Sequence, residues 1–172
     1  MARKGAKTAA AAVGTASTSI GEMVPTSAVQ HGVYVTLVFF MIYYVFLFSQ
    51  GTMKKKLRAH YAAQGKKFDR YFSRDRCMLL WDRAVGNMLE QSVPFLTLFW
   101  LGIFLSNQGG LGYGYVVHAG WLYNAFRSVY PVLWSFGGGT PEGTTRIIWR
   151  VTIPMYLIII FLAANVAYAT VF

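Results

Sequence analysis

The stretch VYVTLVFFMIYYVFLFS, residues 33–49, decides the fold class, because it contains no charged residue and is rich in aromatic side chains. A bilayer core about 30 Å thick needs roughly 20 apolar residues of helix, and only a helix or a closed barrel satisfies its own backbone hydrogen bonds there. The stretch is short and is expected to gain a turn from residues 29–32. Barrel strands would alternate apolar and polar residues, and this run does not. It therefore predicts a transmembrane helix.

The rest of the chain contains three more segments of this kind. Residues 91–126 carry no Asp, Glu, Lys or Arg, but the stretch is too long for one span and contains Asn107-Gln108-Gly109-Gly110. Such a cluster favours a tight turn, which divides the stretch into a helical hairpin of residues 84–106 and 111–134. The last span covers residues 147–171. The sequence thus predicts an all-α membrane protein, a bundle of four transmembrane helices.

Composition excludes the soluble alternatives. The 172 residues are 55% hydrophobic and 13% charged, and six acidic residues cannot coat so apolar a globule, so a soluble enzyme, a coiled coil and a disordered chain are excluded. The net charge of +10 does not indicate nucleic acid, because ten of the sixteen basic residues lie in residues 54–83. One cysteine, Cys77, gives no disulfide and no metal-binding spacing.

The basic residues predict the orientation in the membrane. The predicted loop of residues 50–83 carries ten basic and three acidic residues, whereas the hairpin turn carries none. The positive-inside rule places this loop on the cytoplasmic side and both termini opposite. Its lysine runs, Lys54-Lys55-Lys56 and Lys66-Lys67, are also expected to contact anionic membrane lipids.

The first thirty residues differ from the rest. Residues 1–30 are rich in Ala, Ser and Thr, with Arg3, Lys4 and Lys7 near the start. Two interpretations are open, a disordered tail and an organelle-targeting segment. The predicted membrane domain is residues 31–172.

Polar residues cluster on the second and third predicted helices. Arg83, Asn87 and Glu90 stand at i, i+4 and i+7, which is one helix face, and Arg127 and Tyr130 stand at i and i+3. Both faces lie near the end of the bundle that carries the basic loop. Ionisable groups inside a span are costly, so each needs a partner, a water-filled cavity or a ligand.

The charges in this layer suggest a type of ligand. Arg83, Arg127, Arg146 and Arg150 face one carboxylate, and the excess positive charge is best answered by an anion held through bidentate arginine contacts. Glu90 is then free to pair with an ammonium group. Glutathione, with two carboxylates and one amine, meets both requirements.

The segments DRAVGNMLEQSVPF, residues 82–95, and FRSVYPVLW, residues 126–134, resemble the second- and third-helix motifs of the MAPEG family, the membrane-associated proteins in eicosanoid and glutathione metabolism. The resemblance implies a homotrimer with glutathione, the co-substrate, bound between subunits near the cytosol. It implies that Arg83, Asn87 and Glu90 hold glutathione, with further contacts from Arg127 and Tyr130.

The resemblance also implies a catalytic residue. Arg146 is the best match to the arginine that favours the glutathione thiolate, since a nearby guanidinium lowers the pKa of a thiol. Two features depart from the family pattern: Trp134 replaces a second tyrosine, and a glycine-rich loop of residues 137–143 precedes Arg146.

Alternatives remain at each level. Glu90 could instead form a structural ion pair with Arg127 or Arg83, although the surrounding motif favours a ligand site. The function indicated is a glutathione-dependent membrane transferase or peroxidase for a lipophilic small-molecule substrate. The alternative is a non-catalytic scaffold or an accessory subunit of a larger organelle membrane complex. The endoplasmic reticulum is the expected membrane, with a mitochondrial or plastid membrane as the alternative that the tail suggests.

Overall fold

The computed structural model describes residues 24–71, 75–106, 110–136 and 146–171, and all regular structure in these parts is helical. Four long helices follow one another: α1 is Thr26–Ala63, α2 is Arg76–Phe104, α3 is Tyr113–Phe136 and α4 is Ile153–Val171. A short π-helical segment, Ile148–Thr152, leads into α4. The predicted all-α class is confirmed.

Two helices, Thr26–Ala63 and Trp149–Val171, are long and apolar enough to cross a membrane. Helices α2 and α3 have spanning length, with 29 and 24 residues, but are less apolar. At 1.5 Å per residue even α3 is roughly 36 Å long, which exceeds the thickness of the hydrocarbon core. Length therefore allows both helices to cross, and the four-span topology stays a prediction.

Helix α1 is longer than the first predicted span, residues 33–49. It has 38 residues and begins at Thr26, inside the predicted tail. Because it continues to Ala63, and α2 already begins at Arg76, the predicted loop of residues 50–83 is mostly helical. Residues 1–23 of the tail lie outside the described residues.

A Schellman motif ends α1. The backbone N–H of Lys66 donates to the carbonyl of Tyr61 at 2.9 Å, and that of Gly65 donates to Ala62 at 3.0 Å. Gly65 has a φ of +67°, a left-handed conformation that favours glycine. The chain therefore reverses here and returns towards α2.

Helices α2 and α3 follow each other as the two arms of the predicted hairpin. Helix α2 ends at Phe104 and α3 begins at Tyr113. Residues 107–109 of the predicted turn lie outside the described residues. The side chain of Asn165 on α4 accepts a hydrogen bond from the backbone N–H of Leu111 at 2.8 Å. The end of the hairpin is thereby attached to α4.

Aromatic rings from α1, α2 and α3 form the centre of the bundle. Phe95 and Tyr123 stack with their centroids 3.8 Å apart, and Phe39 lies 5.5 Å from Phe95. All three are buried. Below these rings Gly120 lets α3 approach its neighbours, since a Cβ atom there would lie 2.6 Å from Phe99 Cε2 and 2.8 Å from Val35 Cγ1.

We expect Gly120→Ala to destabilise the protein by about 1–3 kcal/mol, because the added methyl group forces a packed ring and a valine apart. Gly114→Ala is the matched control, because a Cβ atom at Gly114 has nothing within 4 Å. Thermal unfolding in detergent compares the two variants. Equal melting temperatures would contradict the close approach of α3.

Candidate functional site

The three residues of the predicted polar face of α2 differ in their exposure to solvent. Arg83 and Glu90 are exposed, whereas Asn87 between them is half-buried. The buried residues of α2 include Met88 and Gln91, which turn towards the bundle. The chain therefore presents a guanidinium and a carboxylate outward from the same helix face.

A side-chain hydrogen bond joins this face to α3. The Nδ2 atom of Asn87 donates to the hydroxyl of Tyr130 at 2.8 Å. Tyr130 is 4% exposed, and the guanidiniums of Arg83 and Arg127 both interact with it electrostatically. The structure thus joins Asn87 directly to the Tyr130 phenol and places Arg83 and Arg127 near enough to act on that phenol electrostatically.

Arg127 is completely buried, with 0% exposure. Its Nη2 atom donates to the backbone carbonyl of Asn87 and to Gln91 Oε1, both at 2.8 Å, and to the hydroxyl of Tyr123 at 3.1 Å. Its Nε and Nη1 atoms have no hydrogen-bond partner among the described residues. Within this part of the chain no carboxylate pairs with the guanidinium, so the bundle holds a buried positive charge beneath the polar face.

Within one chain, Glu90 forms no ion pair with Arg127 or Arg83. In the described parts of the chain, the ion pair found joins Arg70 to Asp82, at 2.7 Å, and Glu90 contacts neither Arg127 nor Arg83 in this way. Because Glu90 is also exposed, its carboxylate is available to a group from outside the chain.

Two prolines alter the backbone beside these charges. Pro94 and Pro131 lie inside α2 and α3, each four residues after a charged site residue, Glu90 and Arg127 respectively. Proline has no N–H, so the carbonyls of Glu90 and Arg127 lose their usual intrahelical donor. Each helix therefore offers an additional backbone acceptor at the level of the site.

The structure does not join Arg146 to the other predicted site residues. Arg146 is exposed and helical, and it lies two residues before the π-helical segment. Within the described residues its side chain makes no hydrogen bond or ion pair. Residues 137–145, which hold the glycine-rich loop, lie outside them. Trp134 is half-buried and packs against the core, so it belongs to the bundle as well as to the predicted site.

Two members of the buried network, Gln91 and Tyr123, are not among the predicted site residues. Gln91 accepts from both Arg127 and Tyr123, whose hydroxyl donates to Gln91 Oε1 at 3.1 Å. A signal was present in the spacing, because Gln91 stands four residues after Asn87 and Tyr123 four residues before Arg127. Both residues are neutral, so this spacing alone does not mark them as site residues.

A third missed residue anchors the start of the motif. Both oxygens of Asp82 accept hydrogen bonds at 2.7 Å from Arg70, and Oδ1 also accepts one from Gln50 at 2.7 Å. These contacts tie α1 and the connection after it to α2, directly before Arg83. They fix the part of α2 from which the exposed face extends.

Comparison with known proteins gives one match. The model of the MAPEG family matches residues 31–165, most of the chain. No curated protein and no solved structure matches the chain. The matched range contains both sequence motifs and all the site residues described above.

Proposed function

Because this chain belongs to the MAPEG family, a family of membrane proteins whose members generally use glutathione, we propose that it is a glutathione-dependent transferase or peroxidase for lipophilic electrophiles. The observation that carries the proposal is the carboxylate of Glu90, which is exposed, has no ion-pair partner among the described residues and shares one helix face with Arg83. Glutathione is complementary to this face, since it has one ammonium group and two carboxylates.

In the proposed complex each residue has a separate role. Glu90 binds the ammonium group, and Arg83 binds a carboxylate through its planar guanidinium. Asn87 and Tyr130 are already joined by a 2.8 Å hydrogen bond, and they present polar atoms to the ligand between Glu90 and Arg83. Arg127 is fully buried and supplies positive charge from below, and its bond to the carbonyl of Asn87 holds that residue in place.

We propose a homotrimer as the working form. Arg83 and Glu90 lie on the surface of a single chain. Charged side chains on a helix of spanning length need shielding from lipid. A neighbouring subunit would provide this shielding and enclose the ligand. The proposed arrangement has four spans, with the basic connection and the glutathione site on the cytoplasmic side of an organelle membrane, the endoplasmic reticulum first.

In the proposed reaction Arg146 activates the thiol of glutathione. A guanidinium near the glutathione sulfur stabilises the thiolate, which is the nucleophile that attacks the electrophile. Arg146 is exposed in the single chain, so it remains accessible to a ligand at the surface. For Arg146 to act on the thiol, glutathione bound at Glu90 would extend towards the start of α4.

We expect Arg146→Ala to reduce turnover about 100-fold at pH 7, with little change in glutathione affinity. Activity should recover in part as the pH rises, because the thiol of glutathione then ionises without help. The measurements are calorimetric binding of glutathione and conjugation to a chlorinated aromatic compound, both in detergent. Arg150→Ala, four residues further along, is the control and should retain turnover.

The alternative function is a protein with the same fold that does not catalyse a reaction. The structure leaves Arg146 without a contact to Asn87 or Tyr130, and Trp134 offers no hydroxyl group. These two observations favour a non-catalytic scaffold, or an accessory subunit of a larger membrane complex. Glutathione binding without turnover would indicate a protein that has kept the site and lost catalysis. Absence of glutathione binding would overturn the main proposal and leave the scaffold.

A further inference from the structure

The end of α1, beyond its apolar part, and the residues that follow it carry two groups of basic side chains. The juxtamembrane cluster comprises Lys54, Lys55, Lys56 and Arg58, and a second group, the tip pair, comprises Lys66 and Lys67. Five of the six side chains are exposed and Lys54 is half-buried. In the described part of the chain none of them takes part in an ion pair.

The acidic residues of this region have other partners. Asp82 binds Arg70 and Gln50. Asp75 caps the start of α2 by accepting from the backbone N–H groups of Cys77 and Met78 at 2.9 and 3.2 Å. Asp69 accepts from the backbone N–H of Tyr71 at 2.9 Å. Among the described residues the six cations therefore have no ion-pair partner, and the exposed ones present their charge to the surroundings.

The juxtamembrane cluster lies at the height of lipid headgroups. The part of α1 without Asp, Glu, Lys or Arg, residues 26–53, is about 42 Å long at 1.5 Å per residue. A bilayer with its headgroup regions is roughly 40–45 Å thick. If residues 26–53 cross the bilayer, Lys54 lies at the level of the lipid phosphate groups. Leu57 is buried against the bundle, whereas Lys55, Lys56 and Arg58 beside it are exposed and point away from the protein.

We propose that the juxtamembrane cluster binds anionic lipid headgroups of the membrane that holds the protein. A lysine at the surface favours anionic lipid by about five-fold, and the effect disappears over a Debye length of roughly 8 Å. The tip pair follows the end of α1, roughly 10–15 Å further along the helix axis. It should therefore contribute much less. A soluble acidic partner would use both groups of cations alike.

The test compares two variants in vesicles. The full chain is reconstituted in phosphatidylcholine that contains a small fraction of dansyl-labelled phosphatidylserine or, in a parallel sample, dansyl-labelled phosphatidylcholine. Energy transfer from the tryptophans, including the half-buried Trp81 near the start of α2, reports which lipid gathers around the protein. The variants are Lys54→Gln/Lys55→Gln/Lys56→Gln and the control Lys66→Gln/Lys67→Gln.

We expect several-fold preference for phosphatidylserine in the parent protein, its loss in the triple variant and in 1 M salt, and its retention in the control. Equal transfer from both lipids in the parent protein would overturn the proposal. So would an equal loss in the two variants, because it would show that the tip pair attracts phosphatidylserine as strongly as the juxtamembrane cluster does. Glutathione takes no part in this experiment, so its outcome is independent of the proposed enzymatic function.

Discussion

Gln91→Leu is expected to destabilise the protein by about 3 kcal/mol. Gln91 Oε1 accepts from Arg127 at 2.8 Å and from Tyr123 at 3.1 Å, and leucine accepts from neither. The guanidinium would remain buried with one acceptor fewer, while two of its nitrogens already have no partner among the described residues. Thermal unfolding in detergent should show a melting temperature lower by roughly 6–12 °C.

The matched variant, Gln91→Glu, should not destabilise the protein and should change its stability in the opposite direction. Glutamate has nearly the shape of glutamine and brings a negative charge to the buried guanidinium. We expect a melting temperature at neutral pH equal to or above that of the parent protein. If the leucine and glutamate variants both unfolded at the parent temperature, Arg127 would not be a buried cation that lacks a counter-charge.

Glu90→Gln is expected to weaken glutathione binding roughly 10- to 100-fold, because a charge-assisted hydrogen bond to the ammonium group is lost. The melting temperature should not change, since Glu90 is exposed and has no ion-pair partner in the described residues. Calorimetry of the detergent-solubilised protein measures the affinity. This prediction rests on the proposed function.

A ligand variant provides the control for Glu90. Glutaryl-cysteinylglycine lacks the amino group of glutathione and is otherwise the same peptide. It should bind the parent protein as weakly as glutathione binds the Glu90→Gln variant, and the two losses should not add. Additive losses would show that Glu90 acts on another part of the ligand, or through the fold alone.

Much of the architecture could be predicted from the sequence, because helices in a membrane need long runs without charge. The run of residues 33–49 alone establishes a helix, and the spacing of Asn87 and Glu90 correctly places them towards one side of α2. The prediction that polar residues of α2 and α3 lie near each other is confirmed by the bond between Asn87 and Tyr130.

Other features depend on contacts between helices that no local pattern reveals. The lysine-rich segment after residue 53 indicates topology, so its continuation as helix to Ala63 was not predicted. Helix propensity is a weak guide, and the tie from Asp82 to Arg70 and Gln50 exists only after α1 and α2 have packed. Gln91 presents the same difficulty, because its amide becomes informative only beside a buried Arg127.

The missing backbone bonds at Pro94 and Pro131 give the bundle two flexible joints. They lie close together, since Arg127, just before one joint, bonds Gln91, just before the other. A helix can bend where its ladder is already interrupted without breaking a further bond. On the side of the basic connection, however, the 2.8 Å hydrogen bond between Asn87 and Tyr130 still joins the two helices, so this bond and not the prolines decides how far α2 and α3 can part.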